Sequence, residues 1–136
     1  YMHTTDDRTP VTFITRYYLD KIKRLCDAHG TKLLFVTAPS PVNHTMQRHN
    51  EVQALADALA VPYLDLNLNT EELGIDWNLD TLDGGDHLNY TGCQKATAYL
   101  QRYMQTHYTL PDRRDDVRYE AWNKQAEEFE NLLPQP

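Results

Sequence analysis

Only two short segments of this chain have the uninterrupted apolar character of strands buried in a parallel sheet. They are residues 32–37, followed by Pro39, and residues 61–66, with a proline near the start. Short apolar runs without alternation are typical of strands that are covered on both faces. A proline near the start of a strand is tolerated because its missing N–H is not needed there. The sequence therefore predicts about two parallel strands.

Four segments with helical spacing of apolar residues accompany these strands. They span residues 11–29, 45–59, 90–106 and 117–132. Gly30 closes the first helix, and Thr91 and Gln94 have capping-box spacing at the start of the third. Residues 67–86 are predicted to form a long polar loop. The resulting order, α-β-α-β-α-α, is typical of an α/β protein with a parallel sheet and three to four helices.

Two strands are too few for an independent sheet, because each would expose backbone edges and most of one apolar face. The chain has 136 residues, begins at Tyr1 and contains a single serine, Ser40. We therefore expect it to be part of a larger domain. A missing N-terminal half or another subunit would complete the sheet.

The charge distribution argues against nucleic acid as a partner. Thirteen Lys and Arg against twenty Asp and Glu give a net charge of −7, and no basic cluster is visible. No segment approaches the roughly 18 consecutive apolar residues of a membrane-spanning helix. We expect the chain itself to be soluble.

Two segments follow the predicted strands at the edge where parallel sheets bind ligands. The first is residues 37–43, and the second is the loop that ends in Asp83-Gly84-Gly85-Asp86-His87-Leu88-Asn89. A carboxylate that hydrogen-bonds one imidazole nitrogen fixes the tautomer and leaves the other nitrogen to act as a general base. The second segment therefore predicts an Asp–His base, with His87 as its centre.

Two other interpretations of these residues stay open. Asp-Gly-Gly-Asp is also a good turn sequence, and Asn89 or Thr91 is suited to cap the next helix. Asp83, Asp86 and His87 also carry metal-ligand groups, as do His44 and His49. The turn and the Asp–His base have comparable weight on the local pattern, and the metal site is the least favoured of the three interpretations. Neither a metal nor another cofactor is therefore expected.

Several blocks of the chain, taken together, resemble a known family. They are residues 18–22 leading into 33–39, a helix with Asn50, Leu55 and Ala56, a strand at 61–65 that ends in Asp, and residues 83–92 with His-Leu-Asn and an early glycine. In this order they resemble the C-terminal half of an SGNH/GDSL-type hydrolase. The form His87-Leu88-Asn89-Tyr90-Thr91-Gly92 is most similar to bacterial membrane-anchored SGNH-like proteins, relatives of enzymes that acylate or deacylate cell-envelope polysaccharides.

The resemblance implies a fold, a domain division and a location. The fold would be the flavodoxin-like three-layer α/β/α arrangement of SGNH proteins, of which this chain would hold the C-terminal part. Residues 1–110 would belong to that domain, and residues 111–136 would form a C-terminal amphipathic helix and tail packed on it. The parent protein would be extracytoplasmic and associated with the cell envelope. It would contact a membrane only through a segment absent from this chain.

The resemblance also implies roles for individual residues. His87 would be the catalytic base, and its acid would stand three positions earlier, where this chain has Gly84. Asp83 is the preferred partner and Asp86 the alternative, since neighbouring side chains of an extended segment point to opposite faces. No segment matches the family's nucleophilic serine, oxyanion-hole glycine or asparagine.

Ser40 is interpreted as a turn residue rather than a nucleophile, because it lies between two prolines after a strand that follows the nucleophile's block in the family. Ser40, Asn43 and Asn89 are predicted to line the substrate cleft. The predicted function is that of the C-terminal portion of a serine esterase or O-acyltransferase. It would act on acyl esters, in particular acetyl esters, of a carbohydrate or cell-envelope polymer.

The alternative function is a non-catalytic α/β module that binds carbohydrate or a protein partner. Its contacts would come from aromatic rings at Tyr99, Tyr103, Tyr108, Tyr119 and Trp122. Packing of the last two helices on the sheet is the favoured explanation for these rings.

Overall fold

The computed structural model describes residues 1–133. Its elements are α1 (Phe13–Ala28), β1 (Phe35–Thr37), α2 (Met46–Leu59), β2 (Tyr63–Asp65), α3 (Thr70–Leu73), α4 (Tyr90–His107) and α5 (Glu120–Leu132). Two 3₁₀ turns, Leu66–Leu68 and Val117–Tyr119, precede α3 and α5. The protein is therefore of mixed α/β class, with a small parallel sheet.

The described part of the chain divides into two compact units. The first is Tyr1–Leu100, which contains the sheet, and the second is Gln101–Pro136, which contains α5. The tail predicted at residues 111–136 ends outside the described residues, since 134–136 are not among them. None of the helices in residues 1–133 has the length and apolarity that crossing a membrane requires.

The two strands pair in parallel, as predicted from their apolar character. The register sets Phe35 beside Tyr63, Val36 beside Leu64, and Thr37 beside Asp65. Each strand has three residues, so both are shorter than the apolar runs that predicted them. The register brings Thr37 and Asp65 together at the carboxyl edge of the sheet.

Local capping determines where the first two long helices begin. The Thr12 side chain accepts a hydrogen bond from the backbone of Thr15 at the start of α1. Thr45 does the same for Arg48 at the start of α2. A hydroxyl at this position satisfies a backbone donor that has no partner inside the helix. The predicted starts are therefore within two residues of those observed.

α4 begins at Tyr90, as predicted, and one of the two predicted caps is present. Asn89 is the capping residue, because its Oδ1 accepts the backbone N–H of Gly92 at 3.1 Å. The predicted capping box is wrong, since the Gln94 side chain instead donates to the Tyr90 hydroxyl at 3.0 Å. Asparagine is as good a cap as threonine, and here it precedes the helix directly.

A small core joins α2, β2 and the chain that follows β2. Its buried apolar residues are Leu55, Ala56, Val61, Leu64, Leu66, Leu73 and Ala96. Leu66 ends the segment predicted as the second strand, and Leu73 belongs to the segment predicted as a polar loop. The loop prediction is wrong for residues 67–73, which lie in a 3₁₀ turn and α3 and contribute Leu73 to the core.

The apolar stripe of α1 does not pack into this core. Ile14, Tyr18, Ile22 and Leu25 are all between 45% and 64% exposed. Val36 in the middle of β1 is 41% exposed, so the expected burial of both strand faces is wrong for β1 within residues 1–133. α1 likewise buries none of its residues.

Candidate active site

A tight loop before α4 brings Asp83 and His87 together. Gly84 and Gly85 have φ angles of 69° and 104°, in the left-handed region that glycine adopts without strain. Asp83 Oδ2 therefore lies 2.7 Å from Nδ1 of His87. Asp83 Oδ1 accepts the backbone N–H of His87, also at 2.7 Å. Asp83 thus fixes both the backbone and the imidazole of His87.

Asp86 interacts with the same imidazole less directly. Its Oδ2 is 3.6 Å from Nδ1 of His87, which is an ion-pair distance but too long for a hydrogen bond. Asp86 Oδ1 instead accepts a hydrogen bond from the side-chain amide of Asn43. The two segments predicted to meet at the sheet edge therefore do meet, and Asp83 is the hydrogen-bonding partner of His87.

The two carboxylates favour the charged form of His87. Its pKa is raised, first by the hydrogen bond to Asp83 and then by the negative charges of Asp86 and Asp83. The pKa of Asp83 is lowered, chiefly because its carboxylate accepts the hydrogen bond from the His87 side chain. The imidazole is 70% exposed, so water screens these interactions.

The second ring nitrogen of His87 is available for proton transfer. If Nδ1 donates to Asp83, then Nε2 carries the lone pair, and it forms no hydrogen bond to any of residues 1–133. This is the arrangement that a general base needs. Asp83, Asp86 and His87 also lie close enough for their oxygen and nitrogen atoms to share one metal ion.

Ser40 lies beside this pair but is held as a turn residue. Its Oγ accepts the backbone N–H of Asn43 at 3.1 Å, and its hydroxyl is directed toward Asp86 Oδ1 at 3.5 Å. Its backbone N–H donates to the side chain of Asn67 at 2.8 Å. No contact joins the Ser40 hydroxyl to the imidazole of His87 within the described residues, which agrees with the interpretation of Ser40 as a turn serine.

Asn89 and Gly92 dock the start of α4 against the preceding chain. The Asn89 side chain donates to the carbonyl of Leu79 at 2.6 Å in addition to capping α4. A Cβ at Gly92 would lie 2.3 Å from the carbonyl oxygen of Asp80. The early glycine is therefore required by a close backbone approach, and this contact fixes the position of the loop that carries His87.

A second histidine–carboxylate cluster lies at the end of β2. Nε2 of His44 and Nδ1 of His49 are each 2.8 Å from the same atom, Oδ2 of Asp65. His44 and Asp65 are only 6% and 4% exposed. The two histidines that were considered as partners of His87 in a metal site therefore belong with Asp65 instead.

Asp65 was missed as a site residue by the sequence analysis. The available signal was its position at the carboxyl end of a predicted parallel strand. Burial alone would raise its pKa, but hydrogen bonds from Asn67, and then from His44 and His49, outweigh burial and lower it. Asp65 is therefore a buried carboxylate that is held in its charged form.

The aromatic rings that would bind a ligand in the alternative function differ in their exposure. Tyr99, Tyr103 and Tyr108 are half-buried, and the Tyr103 ring stacks on His107 at 4.1 Å. Trp122 on α5 is 71% exposed. The guanidinium of Arg113 lies 5.2 Å from the ring of Tyr119. Of these rings, that of Trp122 is the most accessible to a ligand.

Comparison of the chain with protein-family models, curated proteins and solved structures finds no match. The relationship to SGNH hydrolases therefore stays a prediction, and the geometry of the site is the evidence for its function.

Proposed function

We propose that this chain supplies the His–Asp part of the catalytic machinery of an SGNH-type serine esterase or O-acyltransferase. The observation that carries this proposal is the 2.7 Å hydrogen bond between Nδ1 of His87 and Asp83, in an imidazole whose Nε2 is unpartnered among residues 1–133. In the proposal, the parallel pair β1 and β2 belongs to a flavodoxin-like three-layer α/β/α domain.

The nucleophile comes from outside this chain in the proposed mechanism. A serine hydroxyl attacks the acyl carbonyl, and its proton passes to Nε2 of His87. Asp83 accepts the Nδ1–H hydrogen bond throughout and stabilises the imidazolium that forms. The imidazolium then protonates the leaving alkoxide, and the acyl group remains on the serine. Water or an acceptor hydroxyl next attacks the acyl-enzyme while His87 takes its proton, and His87 returns this proton to the serine oxygen as it leaves. Water gives hydrolysis, and an acceptor hydroxyl gives transfer.

The substrate side of the proposal rests on the loop beside the pair. Ser40 and Asn43 bring polar groups next to Asp86, and the hydrogen bond from Asn43 fixes that loop to the one carrying His87. Polar side chains beside the pair suit the hydroxyl groups of a carbohydrate. We therefore propose acyl esters, in particular acetyl esters, of a carbohydrate or cell-envelope polymer as the substrate class, and an extracytoplasmic location for the parent protein.

The test is a kinetic comparison of variants in the protein expressed from its natural start. With 4-nitrophenyl acetate as substrate, His87→Ala is expected to lower kcat at least about 1,000-fold, and Asp83→Asn about 100-fold or more. His107→Ala is the matched control. His107 is an exposed histidine on α4, and it contacts Tyr103 through a hydrogen bond to the backbone carbonyl and through ring stacking.

Two results would contradict the proposal. One is an unchanged kcat in the His87→Ala variant when the wild-type protein is active. The other is a coding sequence without a serine-bearing strand–turn–helix ahead of Tyr1, because the proposed mechanism then has no nucleophile.

A further inference from the structure

We propose that His44, His49 and Asp65 form a binding site for one divalent metal ion of the zinc class. This inference is independent of the proposed esterase function, because none of its three ligands belongs to the His87 loop.

The first argument is the convergence of the ligand atoms. Nε2 of His44, Nδ1 of His49 and a carboxylate oxygen of Asp65 all lie within 4.8 Å of one another. The side chains of His44 and Asp65 are 8% and 1% exposed, and that of His49 is 15% exposed. Two imidazole nitrogens and one carboxylate oxygen within this distance supply the donor types of an open tetrahedral zinc site, which has three protein ligands and one exchangeable position.

The second argument is that the ligands are held by groups behind them. Asp65 Oδ1, the oxygen that does not face the histidines, accepts hydrogen bonds from the backbone N–H and the side-chain amide of Asn67 at 2.9 and 2.7 Å. The ring of His49 stacks on Tyr63 with centroids 5.5 Å apart. Such outer contacts orient metal ligands and keep the remaining carboxylate oxygen free for the ion.

The protons on the two imidazoles can be accommodated when the ion binds, and the occupied site carries a net charge of +1 from the divalent ion and one carboxylate. In the metal-free state each imidazole donates one N–H to Asp65, and these protons must leave those nitrogens when the ion binds. Nδ1 of His44 and Nε2 of His49 have no hydrogen-bond partner among residues 1–133, so each ring can carry its proton there instead. The ion then binds two neutral imidazoles and one carboxylate.

A pocket of about 370 Å³ lies beside His44 and is lined by His44 together with Thr37, Val52 and the N-terminal segment around Pro10. Of the three ligands, His44 belongs to this lining, so we expect an ion to approach the cluster from that side. The donor set of two imidazoles and one carboxylate favours zinc over magnesium or calcium, which prefer oxygen ligands alone.

The test is a metal titration of the protein expressed from its natural start, prepared without a histidine tag and stripped with a chelator. We expect one equivalent of Zn²⁺ to bind in calorimetry, and one equivalent of Co²⁺ to give the visible absorption of a tetrahedral site. His49→Ala is expected to weaken binding by more than about 100-fold. His87→Ala is the matched control. It removes the imidazole of the exposed cluster of Asp83, Asp86 and His87, and it is expected to leave the Zn²⁺ affinity unchanged.

A measurement on the wild-type protein keeps the proposal testable if His49→Ala does not fold. In histidine-labelled protein, Zn²⁺ is expected to shift the ¹⁵N resonances of Nε2 in His44 and Nδ1 in His49. The proposal is overturned if Zn²⁺ and Co²⁺ do not bind, or if binding is lost in His87→Ala. It is also overturned if these two nitrogens do not respond, because the cluster is then a set of structural hydrogen bonds only.

Discussion

The molecule contains two histidine–carboxylate clusters with nearly the same bond lengths and opposite surroundings. The distance is 2.7 Å between His87 and Asp83, and 2.8 Å between Asp65 and each of its histidines. The side chains of His87 and Asp83 are 70% and 46% exposed, whereas that of Asp65 is 1% exposed. The hydrogen-bond length therefore does not distinguish their roles, and contact with water does.

Exposure to water determines whether each cluster contributes mainly to reactivity or mainly to the stability of the fold. Water screens the charges of Asp83 and His87, so their pairing adds little stability, but the open side of the imidazole can reach a substrate. At Asp65 a charge is removed from water and must be satisfied by protein groups, so the same bonds become essential for folding. Four hydrogen bonds serve this purpose, from His44, His49 and two groups of Asn67.

The largest effect is expected from removal of the buried carboxylate. Asp65→Ala leaves four donors without their acceptor, so the free energy of unfolding should fall by about 3 kcal/mol. Urea denaturation measures this change. Asp83→Ala is the matched control in the exposed cluster and should change the free energy of unfolding much less, because water screens this pair. Equal losses in the two variants would show that exposure does not separate the clusters.

A smaller loss of stability is expected from substitution of Gly92, the glycine at which α4 contacts the preceding chain. Gly92→Ala would push a Cβ against the backbone oxygen of Asp80, and relief of this overlap should cost about 2 kcal/mol. Gly30→Ala is the control, because Gly30 has a positive φ of 64° but open space around it, so only backbone strain of about 1 kcal/mol applies. If both substitutions cost the same in thermal denaturation, the close approach at Gly92 does not hold the His87 loop.

Local features were predictable from the sequence because they depend on neighbouring residues. Thr12 and Thr45 cap helices that begin within two residues of their predicted starts. The parallel pairing of the two apolar segments is confirmed. Asp83 was preferred to Asp86 from strand alternation, but it reaches His87 for another reason, since two glycines in left-handed conformation turn the chain back.

Features that depend on the fold were not predictable. His44 and His49 precede Asp65 by 21 and 16 residues, and they reach one carboxylate only because α2 and the residues just before it lie beside β2. The apolar spacing of α1 indicates which of its residues would face a neighbour, but not whether a neighbour is present. The apolar residues of α1 therefore have the predicted helical spacing, but they are exposed in the structure.

A pH titration measures how much each neighbouring carboxylate raises the pKa of His87. The pKa of His87 is expected to lie above its ordinary value of 6.5, because Asp83 accepts its hydrogen bond and Asp86 adds negative charge. Asp83→Asn should lower this pKa more than Asp86→Asn does, as followed by NMR of the imidazole. A larger decrease in Asp86→Asn would reverse the assignment of the two carboxylates.

The direction of the pH effect follows from the raised pKa. The pairing stabilises the folded state fully below the pKa of the unfolded chain, and this contribution is lost as the pH rises through the higher pKa of the folded state. Proton abstraction by His87 requires the neutral ring, so activity of the parent protein should increase over that same upper range.

The tautomer of His87 in the wild-type protein tests the central claim most directly. Long-range ¹H–¹⁵N NMR, recorded above the pKa of His87, distinguishes a proton on Nδ1 from one on Nε2. The account predicts a proton on Nδ1, because this atom faces Asp83 at 2.7 Å, and a bare Nε2 that is ready to accept a proton. A neutral ring with its proton on Nε2 would contradict the claim, because His87 would then have no lone pair on the side open to a substrate.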